Sequence, residues 1–293
     1  MANEISETAK GSALASVNQY FITEAEKYFR GSSTVSNDIA KQLALSGVIA
    51  ANTAMDNASS AMDWSMVDVK KFASELFRLI GYGLDFGNKE AYVIPYRNNK
   101  TGKYDLTTPV SADGLVKLAK MYAVGKKIED FKKFFVREGD NFSYSETSQG
   151  GTEWEYKPIL FNAKPILGFA TIVVYADKTS DVLITTHEDV ARHRKSSKAP
   201  DSPAWKLHFD AMGMKCAVRR HMKKININLP QEFDDEEIFE PITKDCGDLD
   251  SPKVALDYPA LKKQAEVEEA EMGDAYEYEQ ISFEGTPFAE EVK

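Results

Sequence analysis

Lys215, Arg219 and Lys223 recur four residues apart within residues 202–225, with Arg220 and Lys224 beyond them and Trp205, Phe209 and Met212 on the same side. On a helix this spacing lines cations along one face. Cations interleaved with flat apolar side chains suit a single-stranded nucleic acid, because phosphates need charge and unstacked bases need an apolar surface. An amphipathic helix with a solvated charged face is the competing reading. Trp205 has two readings of its own, a base-stacking platform or a core anchor for the start of the helix.

The element that must position these residues reads as one helix over 203–225. Ser202 is a good N-cap and Pro203 suits the first turn, where no N–H is needed. Leu207, Ala211, Met214, Val218, Met222 and Ile225 form its expected core stripe. Arg97, Lys126, Lys127, Arg194 and Lys198 form a second set of candidate phosphate contacts, and Tyr96 a second candidate for stacking. Arg220 and Lys224 read as solvated or as subunit contacts, and Lys117 and Lys120 fit a solvated face as well as a groove wall. Asp210 is expected to pair with a neighbouring cation.

Charge is segregated along the chain. Residues 1–85 carry net −3, residues 86–230 net +8 and residues 231–293 net −15, within a total of −10. A basic middle followed by an acidic tail is the asymmetry of a nucleic-acid binder, although acidic tails also serve simply to solubilise. No apolar run reaches the roughly 18 residues of a membrane span, and the polar N-terminus lacks a signal-peptide core. Two distant cysteines, Cys216 and Cys246, argue against a disulfide framework and for a reducing cytoplasm.

Helical spacing runs through 12–29, 35–55 and 64–80, broken at Gly31-Ser32-Ser33 and Asn57–Ser60. Ala91–Tyr96 and Tyr104–Pro109 read as a hairpin, and Ser111 as the cap of a helix ending near Tyr122 and Gly125. Strands are expected at 129–137, 142–145, 152–156, 166–176 and 181–186, with Ile166–Tyr175 central and a turn at Gln149–Gly151. Thr186 is placed to cap a short helix containing His193 and Arg194. The expected fold is α+β, a small antiparallel or mixed sheet flanked by helices. Residues 1–80 form a helical segment and a candidate for oligomerisation, and 81–230 the DNA-binding core. Residues 231–293 form an acidic, largely flexible tail with one helix candidate at 261–272.

Several chemistries are disfavoured. There is no Gly-x-x-x-x-Gly-Lys-Ser/Thr loop for nucleotide hydrolysis. His187, His193, His208 and His221 do not stand at zinc spacing, and His193 and His208 read as surface or groove residues. A metal-dependent nuclease needs converging carboxylates. Asp105 with Asp113, or Asp85 with Glu90, are the nominees, but cap and turn roles account for them. No nucleophile is paired with a base, so no cofactor or bond-making catalysis is expected.

Three stretches resemble the RecT/Red-beta family of phage single-strand annealing proteins. They are Gly83-Leu84 with Ala91-Tyr92-Val93-Ile94-Pro95-Tyr96-Arg97, then Ser111–Ala119 with Lys126-Lys127-Ile128, then Pro203-Ala204-Trp205 with Asp210-Ala211-Met212, Lys215 and Arg219. The resemblance covers about residues 65–228. Asp85-Phe86-Gly87 replaces the proline many relatives carry after Gly-Leu, and Ala112-Asp113 replaces an aromatic-basic pair, which puts a phosphate contact at position 113 in doubt. The resemblance implies an ATP-independent protein that binds single-stranded DNA, oligomerises on it as a ring or helical filament, and anneals a complementary strand. It also implies a bacterial host cytoplasm, and a phage exonuclease or host single-strand-binding protein as partner of the C-terminal region. A passive coating protein and a nuclease are the alternatives.

Overall fold

A computed structural model describes residues 2–32, 34–58, 62–147, 151–197 and 199–230, all within one compact unit, Met1–Leu249. Lys198, most of the expected turn at 149–151 and the whole C-terminal extension with its 261–272 helix lie outside the described residues.

Three helices come first: α1 (Ala2–Tyr28), α2 (Asn37–Asp56) and α3 (Val69–Gly81). Ser36 and Asp68 cap the second and third by accepting from the N–H groups of Ile39 and Lys71. On α2 the buried Ala40, Ala44, Val48, Ala51 and Met55 recur at helical spacing. Phe21 of α1 meets Phe72 and Phe77 of α3 at ring distances of 5.6 and 6.2 Å, so aromatic edges join the helices.

A hairpin follows, β1 (Ile94–Arg97) with β2 (Tyr104–Thr107), and then α4 (Ala112–Tyr122). Ser111 accepts from Gly114 N–H and donates its own N–H to Glu90 O. A Cβ on Gly114 would stand 2.0 Å from that same carbonyl, so only glycine lets α4 cross the chain here.

β3 (Ile128–Arg137), β6 (Ile166–Tyr175) and β7 (Ser180–Thr186) form an antiparallel sheet with β6 in the middle. A separate hairpin, β4 (Asn141–Glu146) with β5 (Thr152–Lys157), interrupts the connection from β3 to β6. Strand alternation sends Phe131, Phe169 and Thr171 to one face and Phe134 to the other. The first face takes the last helix, α7 (Phe209–Met222), whose Gly213 allows Phe169 to approach; a Cβ there would lie 2.3 Å from the ring. The second face takes the hairpin, with Phe134 5.9 Å from Trp154 and 4.7 Å from Tyr156. Helices, sheet and hairpin make the layers of an α+β fold, and the strands lie close to the expected stretches.

The expected single helix over 203–225 is two helices. His208 has φ −135° and ψ 40°, separating α6 (Pro203–Leu207) from α7. The bend re-aims α6 so that Trp205, 3% exposed, enters the core beside His193 and Phe209, while Leu207 is left 59% exposed. The expected stripe is corrected accordingly: Leu207 and Ala211 are exposed, whereas Gly213, Cys216, Ala217 and His221 are buried with Met214, Val218 and Met222. A helix packed on several sides has no single apolar stripe.

Candidate nucleic-acid interface

The helix α5 (His187–Ser196) is set by a reciprocal cap in which Thr186 and Asp189 each accept the other's N–H. It brings His193 and the following Ser197 against α6 and α7. There His193, Ser197, Trp205, Met212, Lys215, Cys216 and Arg219 line a small cleft of about 80 Å³. Lys215 is half-buried and has no acidic partner among the described residues. Arg219 is 4% exposed and donates from Nη2 to Val110 O at 2.8 Å, which ties α7 to the segment leading into α4. Its Nε, and Nδ1 of the buried His193, have no hydrogen-bond partner among the described residues. Buried polar groups without partners are costly, and here two of them border a cleft that also holds an unpaired lysine. Two unpartnered nitrogens and a lysine give this cleft the chemistry to accept a small anionic group.

The sequence placed Lys215, Arg219, Trp205 and Met212 on one side, and the structure brings all four to this cleft. Trp205 does so from within the core, so of its two readings the anchoring one matches its position. Lys223 caps the C-terminal end of α7 and is exposed. Lys126 and Lys127 leave α4 near the same end, where Val124 N–H donates to Asn226 O. Lys126 is held by Asp177 at 3.0 Å and lies 5.4 Å from the Tyr175 ring, whereas Lys127 has no acidic partner among the described residues. Arg194 donates to Pro200 O and approaches Asp201 at 3.8 Å. Arg97 and Tyr96 stand exposed on β1, apart from the cleft.

Other expectations are corrected by the packing. Of the two readings of His193, surface or groove, its burial in the cleft lining matches the groove, whereas sequence reasoning missed Cys216 as a cleft residue because it does not break the pattern of its helix. Asp210 is exposed and makes no ion pair among the described residues. Lys117 is not simply solvated: it reaches Glu90 at 2.7 Å. Arg220 is half-buried, 3.7 Å from Asp189. Each nominated carboxylate has a local partner. Asp105 takes Lys71 and Asn98, Asp113 takes Lys133, Asp85 takes Ser46, and Glu90 takes Lys117 and the Asp85 N–H. Among the described residues no group of three or more His, Cys, Asp or Glu is placed to hold a metal, and no helix is long and apolar enough to cross a membrane.

The sequence over residues 59–246 matches the RecT family, and the chain belongs to that family. It is therefore a single-strand annealing protein of DNA recombination. Among known relatives, protein RecT of Escherichia coli (strain K12) is 25% identical over 188 residues, which cover 62% of this chain and 67% of that protein.

Proposed function

We propose that the protein binds single-stranded DNA with little regard to sequence, oligomerises along it and pairs it with a complementary strand without nucleotide hydrolysis. The observation that carries this reading is the cleft, bordered by Lys215, by Nε of Arg219 and by Nδ1 of His193, the last two unpartnered among the described residues. A backbone phosphate seated there is held from one side, leaving the Watson–Crick edges of its base open to a second strand. Base pairing and stacking of the new duplex supply the driving energy. The protein's contribution is to offset repulsion between two polyanions and to hold one of them extended. Lys223 and Arg97 are further cations without acidic partners among the described residues, and Tyr96 is an exposed ring. Lys126 and Arg194 must first give up Asp177 and Asp201, so they contribute less per contact.

The test is annealing of two complementary labelled oligonucleotides without ATP. Acceleration with both strands intact is the expected result. Binding without acceleration would make the protein a passive coat, and magnesium-dependent shortening of either strand would make it a nuclease.

A further inference from the structure

Where the basic middle of the chain gathers cations, residues 138–162 do the opposite. They carry five acidic side chains, Glu138, Asp140, Glu146, Glu153 and Glu155, against the single Lys157. At the foot of this hairpin the loop Pro158–Asn162 thrusts apolar side chains into solvent. Leu160 is 80% exposed, Phe161 fully so, and Ile159 half. Exposed apolar clusters of this kind mark interaction surfaces.

The loop is built to hold that pose. Asp140 accepts four hydrogen bonds: Ile159 N–H at 3.0 Å and Asn162 Nδ2 at 2.9 Å on one oxygen, Arg137 N–H at 3.0 Å and the Tyr156 hydroxyl at 3.1 Å on the other. Phe161 has φ +57°, a left-handed backbone that bulky residues adopt only when their surroundings enforce it. A carboxylate spent on fixing an exposed Leu-Phe pair in a strained loop makes a preorganised plug.

The charge around the plug selects its occupant. Glu146 and Glu153 have no cationic partner among the described residues, so the hairpin repels a polyanion and favours a basic surface. Such a surface stands on the same chain, at the exit of α4. There Met121 and Val124 are exposed, Val124 is tied to Asn226, and Lys127 and Lys224 lack acidic partners among the described residues. We propose that the acidic hairpin and its Leu160–Phe161 plug dock on the Met121, Val124, Lys127 and Lys224 surface of a second copy. Two different patches of one chain meeting head to tail build a ring where the rotation closes and a helical filament where it does not. This deepens the oligomerising part of the proposed function and rests on it, and it assigns Lys127 to a neighbour rather than to DNA.

The test compares sedimentation of the full-length chain with that of the Leu160→Asp/Phe161→Asp variant, with and without a long oligonucleotide. The expected result is large assemblies for the unaltered chain and self-association weakened by about tenfold or more for the variant. Affinity for an oligonucleotide short enough for one copy should stay within about twofold. Phe161→Gly, which relieves the backbone while removing the ring, should weaken assembly in the same direction and guards against a misfolded double variant. Lys224→Glu should also weaken assembly, and adding Glu153→Lys should restore part of it. Unchanged assembly in the Leu160 and Phe161 variants overturns the proposal. Intact assembly with lost oligonucleotide binding overturns it too, and would make the plug a wedge for bases. An unaltered chain that never assembles overturns the oligomerising reading itself, and the plug with it.

Discussion

The cleft between α5 and α7 and the loop below the β4–β5 hairpin use the same residue types in opposite ways. In the cleft polar capacity is left over: among the described residues Arg219 and His193 each keep an unpartnered nitrogen, and Lys215 has no acid. In the hairpin loop polar capacity is filled, with four donors on Asp140, and apolar surface is left over. Unpaired buried polar groups are costly, and exposed apolar clusters mark interaction surfaces. One region has spare polar capacity, the other spare apolar surface.

The contrast can be broken most forcefully at Arg219. Arg219→Met removes the donor from the buried Val110 carbonyl, and urea denaturation should show a loss of about 2–4 kcal/mol. An unchanged denaturation midpoint would mean that Arg219 is free to serve DNA alone. Acid should separate the two regions next. Burial holds His221, whose Nδ1 lies 2.9 Å from Thr171 Oγ1, down to about 4 from its usual 6.5. The unfolded chain therefore takes up this proton before the native one. Stability is full above the ordinary histidine range and falls as pH drops toward 4, by up to about 3 kcal/mol.

Asp140 behaves differently. Its partial burial works to raise the carboxyl, but the donated hydrogen bonds outweigh that and hold it at about 2. Its contribution persists above about pH 4 and fades only as pH falls through 2. Unfolding followed against pH should show the helix side weakening first, and His221→Asn should flatten the upper part of the curve. Tyr156→Phe, which takes a hydroxyl from Asp140 and from Phe135 O, should cost about 1 kcal/mol with no change in oligonucleotide affinity. The smallest effect on stability belongs to Lys215→Ala, within about 0.5 kcal/mol. Its signature is electrostatic: the log–log salt slope of binding should shrink by about 0.7, one phosphate on a single strand. An unaltered slope would remove Lys215 from the interface.

Much of the fold was legible because local chemistry and tertiary packing agree. Ser111 and Thr186 cap the helices their sequences announce, and the most apolar run, Ile166–Tyr175, became the central strand. The cleft was half legible. Lys215 and Arg219 stand out by spacing, but the burial of Arg219 depends on Val110, more than a hundred residues earlier, and leaves no local trace. The break at His208 was hidden for a related reason. Trp205 is drawn inward by His193 on another helix, and the small Gly213 and Cys216 that pack α7 carry little signal in an apolar pattern. Nor does Asp140 advertise its role, since two of its donors, Ile159 N–H and Asn162 Nδ2, arrive about twenty residues later.

The chain leaves the sheet after β3 and re-enters it before β6 at the same rung, where Glu138 N–H donates to Pro165 O at 3.0 Å. Everything between those two residues is an excursion whose ends are already joined. Doubling the length of such a loop costs only about 0.6 kcal/mol in closure entropy. The excursion can therefore be lengthened with little closure penalty, so long as Trp154 and Tyr156 still cover Phe134 on the sheet. Engineering has in its solvent-facing side chains a surface that can be rewritten while the helix-backed face of the sheet stays as it is.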